Sequence, residues 1–210
     1  MNHKELIKNE LQKFDYNDTK LKLTFGVLVV VCLCAFLIVI ATFTELHFTW
    51  QKLPVNEVLR IYIPQVPVIL FISALLGNRF GFLSVMIYII AGLTVVPVFA
   101  LGGGWRYIFE YNFGYILAFV PAVLTAGRIL SQKIDFKNTF KAAFWGVVII
   151  HFIGILYTII VIIFRRNSFE LFTELVEIQS GIKIIYDFIF SVLAIFIAKP
   201  VKKFLWLAMG

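Results

Sequence analysis

The chain has 210 residues, of which 61% are apolar and only 15% are charged. Soluble domains contain roughly 45–50% apolar and about 25% charged residues, so this chain has too little polar surface to cover itself in water. The composition excludes a soluble globular domain and predicts an integral membrane protein. The formal net charge is +7, but the basic residues flank apolar segments and form no continuous surface with interleaved aromatics, so we expect no nucleic-acid partner.

Six apolar segments follow one another along the chain, and a helical crossing needs about 20 predominantly apolar residues. We therefore predict an all-α, polytopic membrane protein with six transmembrane helices in one domain over residues 23–204. The segments are residues 23–45, 61–77, 82–100, 113–129, 142–164 and 182–198.

The amino-terminal residues 1–22 are polar, with Leu6, Ile7, Leu11 and Phe14 on one helical face and lysines elsewhere. This pattern predicts a short amphipathic helix on the inner membrane surface. A disordered tail is the alternative. The first apolar segment is too long for the apolar core of a signal peptide, so we expect it to be retained.

The second and third segments are predicted to form a tight helical hairpin. Pro64 and Pro67 lie near the start of the second segment, and each removes a backbone donor, so the helix breaks at them or begins after them. Only Asn78 and Arg79 separate the second segment from the third.

The distribution of basic residues predicts the orientation. Six crossings place both termini on one side. The tails, the hairpin turn and residues 128–141 hold thirteen of the nineteen Lys and Arg residues, and the other connections with Lys183 hold six. The positive-inside rule therefore predicts that both termini are cytoplasmic in a multi-pass cell-membrane protein. Connections 46–60, 101–112 and 165–181 then face outward.

No catalytic or metal-binding pattern is present in the sequence. His3, His47 and His151 show no ligand spacing, and we interpret His151 as a hydrogen-bonded helix-packing residue. Cys32 and Cys34 lie in the first apolar segment without a His or carboxylate nearby, which argues against a disulfide or metal site. We expect neither enzymatic activity nor a cofactor.

Asp187 is the first candidate functional residue, because an ionised carboxylate inside a membrane span costs several kcal/mol unless it is paired or faces a polar cavity. The alternative is that Asp187 only pairs with Lys183, one helical turn earlier.

The start of the fourth segment holds a second candidate cluster. Asn112 offers donors and an acceptor, Gly114 lets a ligand approach the backbone, and Tyr115 supplies a flat face with a polar tip. This set suits a compact polar ring system. The alternative is an aromatic belt at the membrane interface, which would also account for Trp105.

The stretch from residue 61 to residue 100 resembles the BioY family, the biotin-binding S components of energy-coupling factor (ECF) vitamin transporters. The matching pieces are P-x-V-P-V, A-L-L-G-x-R-x-G-x-L-S, G-L-x-x-x-P-V-F-A and, from Gly114, G-Y-x-x-x-F. Their order and spacing over about residues 58–128 carry the resemblance, which continues more weakly to Asp187.

The resemblance implies an outward-facing pocket that captures biotin, and partners comprising a transmembrane T subunit and two cytoplasmic ATPases. It places ligand contacts at residues 112–115 and at Asp187, which matches the aspartate of a G-D-x-x-K motif whose glycine and lysine are missing here. Lys183, Arg106 or Arg60 would then supply the cation for a ligand carboxylate, with Trp105 in the same outer region. A related vitamin such as lipoate or thiamine is the alternative ligand, and a membrane enzyme or structural protein is the alternative class.

Overall fold

The computed structural model describes residues 24–47, 61–94, 96–131 and 134–209. The predicted amphipathic helix at residues 1–22 and the candidate cation Arg60 lie outside these ranges. The described elements are α1 (Phe25–Thr42), β1 (Leu46–His47), β2 (Ile61–Tyr62), α2 (Gln65–Thr94), a 3-10 helix (Trp105–Phe109), α3 (Phe113–Leu130), α4 (Phe136–Arg165), α5 (Phe169–Ser180) and α6 (Lys183–Met209).

The described part of the chain is all-helical apart from one small antiparallel ribbon. In this ribbon Leu46 of β1 pairs with Tyr62 of β2. Among the described residues, five helical stretches are long and apolar enough to cross a membrane: Phe25–Thr42, Gln65–Thr94, Phe113–Leu130, Phe136–Arg165 and Phe169–Leu205. The protein is therefore a multi-pass membrane protein, as its composition predicts.

The difference between five stretches and six predicted segments arises in α2, which contains both the second and the third segment. Gly77 within it has the non-helical angles φ 74° and ψ −172°. The Nε2 atom of Gln65 lies 3.4 Å from the Tyr88 hydroxyl, whereas 23 residues of straight helix would separate them by about 34 Å. The chain therefore reverses at Gly77, next to the predicted turn, and the two arms of α2 run antiparallel.

Three helix starts are capped by side chains. Thr24 accepts a hydrogen bond from the Val27 amide, Asp135 from the Asn138 amide and Ser168 from the Leu171 amide. A side-chain oxygen at this position satisfies an amide that has no partner inside the helix. The Asp135 cap explains why α4 begins six residues before the predicted start at residue 142.

Helix α5 was not predicted, since residues 165–181 were interpreted as a connection. Its exposed side carries Glu170, Glu174 and Glu177, and its carboxyl end buries Ser180. Helix α6 follows almost at once, beginning at Lys183.

The buried core lies between the inner face of α1, the arms of α2, α3, α4 and the middle of α6. The outer faces of the long helices are also apolar, with large side chains exposed in α1 and α4. Exposed apolar side chains of this kind are expected where a helix faces the hydrocarbon of a lipid bilayer. Examples are Leu33, Phe36, Ile40, Phe152, Ile160 and Phe164.

Candidate ligand-binding site

A cavity of about 110 Å³ lies among the helix ends that the topology predicts to face outward. Ligand pockets combine apolar walls with a few convergent polar groups. Here the lining consists of Ile63, Gln65, Val66, Ala100, Leu101, Tyr107, Asn112, Tyr115, Ile116, Phe119, Ile150, His151, Gln179 and Lys183.

Three polar side chains of the pocket have no hydrogen bond or ion pair to any other described residue. They are Asn112, at the start of α3, Gln179, near the end of α5, and Lys183, at the start of α6. Buried or half-buried polar groups normally find partners. The pocket therefore presents two amides and one cation to a bound molecule.

Gln65 also lines the pocket and is held by its amide nitrogen. This nitrogen lies 2.7 Å from the Thr42 hydroxyl and 3.4 Å from the Tyr88 hydroxyl. Because both interactions use the nitrogen, the carbonyl oxygen of Gln65 is the atom that can accept from a ligand.

Asp187 is fully buried and does not line the pocket. Tyr62 donates to its Oδ1 atom at 2.8 Å, and His151 Nε2 lies 3.0 Å from its Oδ2 atom. Burial, and after it the charge and hydrogen bond of Asp187, raises the pKa of Tyr62, so this phenol keeps its proton. The structure thus pairs Asp187 with Tyr62 and His151, and the alternative pairing with Lys183 is not observed.

His151 connects Asp187 with the pocket wall. Its Nδ1 atom lies 2.8 Å from the Ser180 hydroxyl, which lies 2.7 Å from the Tyr115 hydroxyl. His151 is 4% exposed and is hydrogen-bonded through both ring nitrogens. It is therefore a packing residue, as interpreted from the sequence, that also lines the pocket.

The comparisons with known proteins agree with this architecture. The BioY family model matches residues 12–206, nearly the whole chain. The chain belongs to the BioY family.

Two curated relatives carry the description "probable biotin transporter BioY". The protein from Lysinibacillus sphaericus is 28% identical over 169 residues, which cover 80% of this chain and 86% of the relative. The protein from Pyrococcus horikoshii is 36% identical over 91 residues, covering 43% of this chain and 53% of the relative.

A solved structure shares the fold. The S-component for biotin from an ECF-type ABC transporter superposes with a TM-score of 0.64 at 19% identity, over 97% of this chain and 95% of that chain. At this identity the likeness establishes the fold of this BioY chain.

The structure brings together three of the predicted site residues of this BioY chain, namely Asn112, Tyr115 and Lys183. Trp105 and Arg106 lie beside the pocket residue Tyr107. Trp105 is 64% exposed, and the Arg106 guanidinium stands 5.6 Å from its ring centre.

Gly114 is buried in the contact between α3 and α4. A Cβ atom at this position would lie 2.1 Å from the Cβ atom of Tyr157. The space over Gly114 is therefore filled by Tyr157, and the predicted approach of a ligand to this backbone does not fit the structure.

Sequence reasoning missed Gln65, Gln179, Ser180 and the connecting role of His151. Gln65 had a usable signal, because it is a polar residue between two prolines near the start of an apolar segment. Gln179 and Ser180 belong to the unpredicted helix α5, and the link from His151 to Asp187 joins residues 36 positions apart.

Proposed function

We propose that this BioY chain is the S component of an ECF-type vitamin uptake transporter and captures biotin from the outer side of the membrane. The observation that carries the proposal is the pocket in which the side chains of Lys183, Asn112 and Gln179 converge without a hydrogen bond or ion pair to any other described residue. The description of the relatives supports biotin as the ligand.

The chemistry of the pocket matches that of biotin. Biotin carries a urea group with two N–H donors and a carbonyl acceptor, a fused thioether ring, and a carboxylate on an alkyl chain. Lys183 suits the carboxylate, the amides of Asn112 and Gln179 suit the urea, and Ile116 and Phe119 provide apolar walls.

We further propose six crossings with both termini cytoplasmic, in the cell membrane. The reversal of α2 at Gly77 supports two antiparallel passes within that element, and the excess of Lys and Arg in the connections assigned to the cytoplasm supports the orientation. In this arrangement residues 1–22 form a cytoplasmic segment, and residues 23–204 form the substrate-binding domain.

Energy for uptake would come from partner proteins, because the sequence contains no G-x-x-x-x-G-K-[ST] motif. The partners we propose are a T subunit in the membrane and two cytoplasmic ATPases. This role needs no chemical step on the ligand, so we propose that the chain is not an enzyme.

Binding of radiolabelled biotin to the detergent-purified protein tests the proposal. Wild type should bind, and Lys183→Ala should weaken binding by about tenfold or more, since a hydrogen bond to a charged group contributes about 1.5–3 kcal/mol. Asn112→Ala should weaken binding by about two- to tenfold, since a hydrogen bond between neutral groups contributes about 0.5–1.5 kcal/mol. Lys141→Ala is the matched control, because Lys141 is an exposed lysine on α4. Absence of binding to wild type at millimolar biotin would refute the ligand, and unchanged binding to both pocket variants would refute the site.

A thermal-shift screen separates biotin from the alternative vitamins. A ligand present at about 100 times its dissociation constant stabilises the folded protein by about 2.7 kcal/mol. Biotin should raise the unfolding temperature while lipoate and thiamine do not. A shift with lipoate or thiamine alone would reassign the ligand within the same transport role.

A further inference from the structure

A chain of hydrogen bonds runs from a buried charge to the pocket wall. It joins Tyr62, Asp187, His151, Ser180 and Tyr115 through heavy-atom distances of 2.8, 3.0, 2.8 and 2.7 Å. Asp187, Ser180 and His151 are all buried. Asp187, His151 and Ser180 each hydrogen-bond to two neighbours in this chain. Which partner donates in one hydrogen bond therefore determines which partner donates in the next.

The carboxylate of Asp187 sets that direction. An ionised carboxylate only accepts, so Tyr62 donates to Oδ1 and His151 Nε2–H donates to Oδ2. With a neutral imidazole, Nδ1 carries the lone pair that accepts the hydroxyl hydrogen of Ser180. The Ser180 oxygen in turn accepts the hydrogen of the Tyr115 hydroxyl. In this order the Tyr115 hydroxyl donates its one hydrogen to Ser180, so only its lone pairs remain for a bound molecule.

We propose that Asp187 acts as a positioning residue which, through His151 and Ser180, makes the Tyr115 hydroxyl an acceptor that selects a ligand N–H group. Applied to biotin, the N–H group belongs to the urea ring, so this part of the inference rests on the proposed function. The carboxylate acts on the ligand without touching it.

Asp187→Asn is the informative substitution because the amide can reverse the chain. The Asn oxygen would still accept from Tyr62, while its NH₂ group would donate to His151 Nε2. The imidazole then carries its hydrogen on Nδ1 and donates to Ser180, which donates to Tyr115, whose hydrogen turns to the pocket. A carboxylate-to-amide change beside a histidine is known to select the wrong tautomer with little change in geometry.

Nitrogen-15 NMR of histidine-labelled protein in detergent, without ligand, tests the order of hydrogens. His151→Gln identifies the signal among the three histidines. The expected result is the Nε2–H tautomer in wild type and the Nδ1–H tautomer in Asp187→Asn. An imidazolium in wild type at neutral pH, or the same neutral tautomer in both proteins, would overturn the inference.

Biotin binding tests the consequence through a double-mutant cycle. Asp187→Asn should weaken binding about tenfold in the wild-type background and have almost no effect in a Tyr115→Phe background, because the hydroxyl that it acts through is gone. Equal losses in the two backgrounds would refute the path through Tyr115. Ser180→Ala, which interrupts the same chain, should give the same pattern and serves if Asp187→Asn fails to fold.

The two proposals fail separately. If wild type binds no biotin, the proposed function is wrong, and the NMR result still decides the order of hydrogens. If wild type binds biotin and His151 carries its hydrogen on Nδ1, the transport role stands and the inference on Asp187 is wrong.

Discussion

At the scale of single residues, two glycines allow α3 and α4 to pack closely, and one of them, Gly154, faces the ring of Tyr115. A Cβ atom on Gly154 of α4 would lie 2.4 Å from two ring carbons of Tyr115, and one on Gly114 of α3 would lie 2.1 Å from Tyr157. Such distances require the neighbouring side chain or backbone to move. In the contact between α3 and α4, Tyr115 therefore packs against the backbone at Gly154, and Tyr157 packs against the backbone at Gly114.

Gly154→Ala and Gly114→Ala should have separable effects. Each overpacks the contact, which typically costs about 1–3 kcal/mol, so both should lower the thermal unfolding temperature in detergent. Gly154→Ala should also weaken biotin binding, because the ring that must move lines the pocket, whereas Gly114→Ala displaces Tyr157.

Leu117→Ala is the control for these glycines, since Leu117 is an exposed apolar residue on α3. It should leave both the unfolding temperature and the biotin affinity near those of wild type. Unchanged biotin affinity in Gly154→Ala would contradict the close seating of Tyr115.

The site residues that could be predicted are those that neighbouring residues in the sequence already mark as unusual. Asn112, Tyr115 and Lys183 are polar or amphipathic residues within a turn of an apolar helix end, and all three line the pocket. His151 gave no such signal, because it lies in the middle of α4 and its importance depends on Asp187, which reaches it only when α4 and α6 pack together.

At the scale of elements, the reversal of α2 depends on one backbone conformation. The angles φ 74° and ψ −172° at Gly77 belong to a region that is essentially restricted to glycine. Hydropathy and the short Asn78-Arg79 connection predicted the hairpin. They did not identify the residue that turns the chain.

Gly77→Ala should destabilise the protein by about 1–3 kcal/mol, because alanine is strained at these angles although no heavy atom lies within 4 Å of the added Cβ. The measurement is the thermal unfolding midpoint in detergent. Arg79→Ala, at an exposed neighbouring position, should change it little. A Gly77→Ala protein as stable as wild type would show that the turn tolerates a side chain.

Helix α5 was missed for a physical reason. Its 12 residues are too short to span a membrane, and its glutamates at positions 170, 174 and 177 lower the hydropathy of the segment. The capping serine at position 168 was an available signal for a helix start. Its carboxyl end contains Gln179 and Ser180. Because the helix was not predicted, these two residues were missing from the predicted site.

At the scale of the whole molecule, the distribution of apolar side chains is that of a protein in lipid. Large apolar residues are exposed along α1 and α4, whereas the interior combines apolar packing with the hydrogen-bonded residues near the pocket. Composition alone predicted that the protein lies in a membrane, because this prediction depends on how many polar residues the chain has and hardly on their order.

Cysteine labelling in intact cells tests the sidedness. In a Cys32→Ala, Cys34→Ala background, a membrane-impermeant maleimide should label Glu174→Cys on α5 without permeabilisation. It should label Lys137→Cys at the start of α4 only after permeabilisation, because the two exposed positions lie on opposite sides in the proposed topology. The reverse pattern would invert the orientation, and labelling of both in sealed cells would contradict it.

The hydrogen bond between Gln65 and Thr42 couples α1 to the pocket. No described residue of α1 lines the pocket, yet Thr42 at its end holds the amide nitrogen of a residue that does. Linkage is reciprocal, so if filling the pocket changes the freedom of α1 by some factor, then restraining α1 changes the ligand's dissociation constant by the same factor. A helix that does not line the pocket can therefore change the dissociation constant of the ligand through its contact with Gln65.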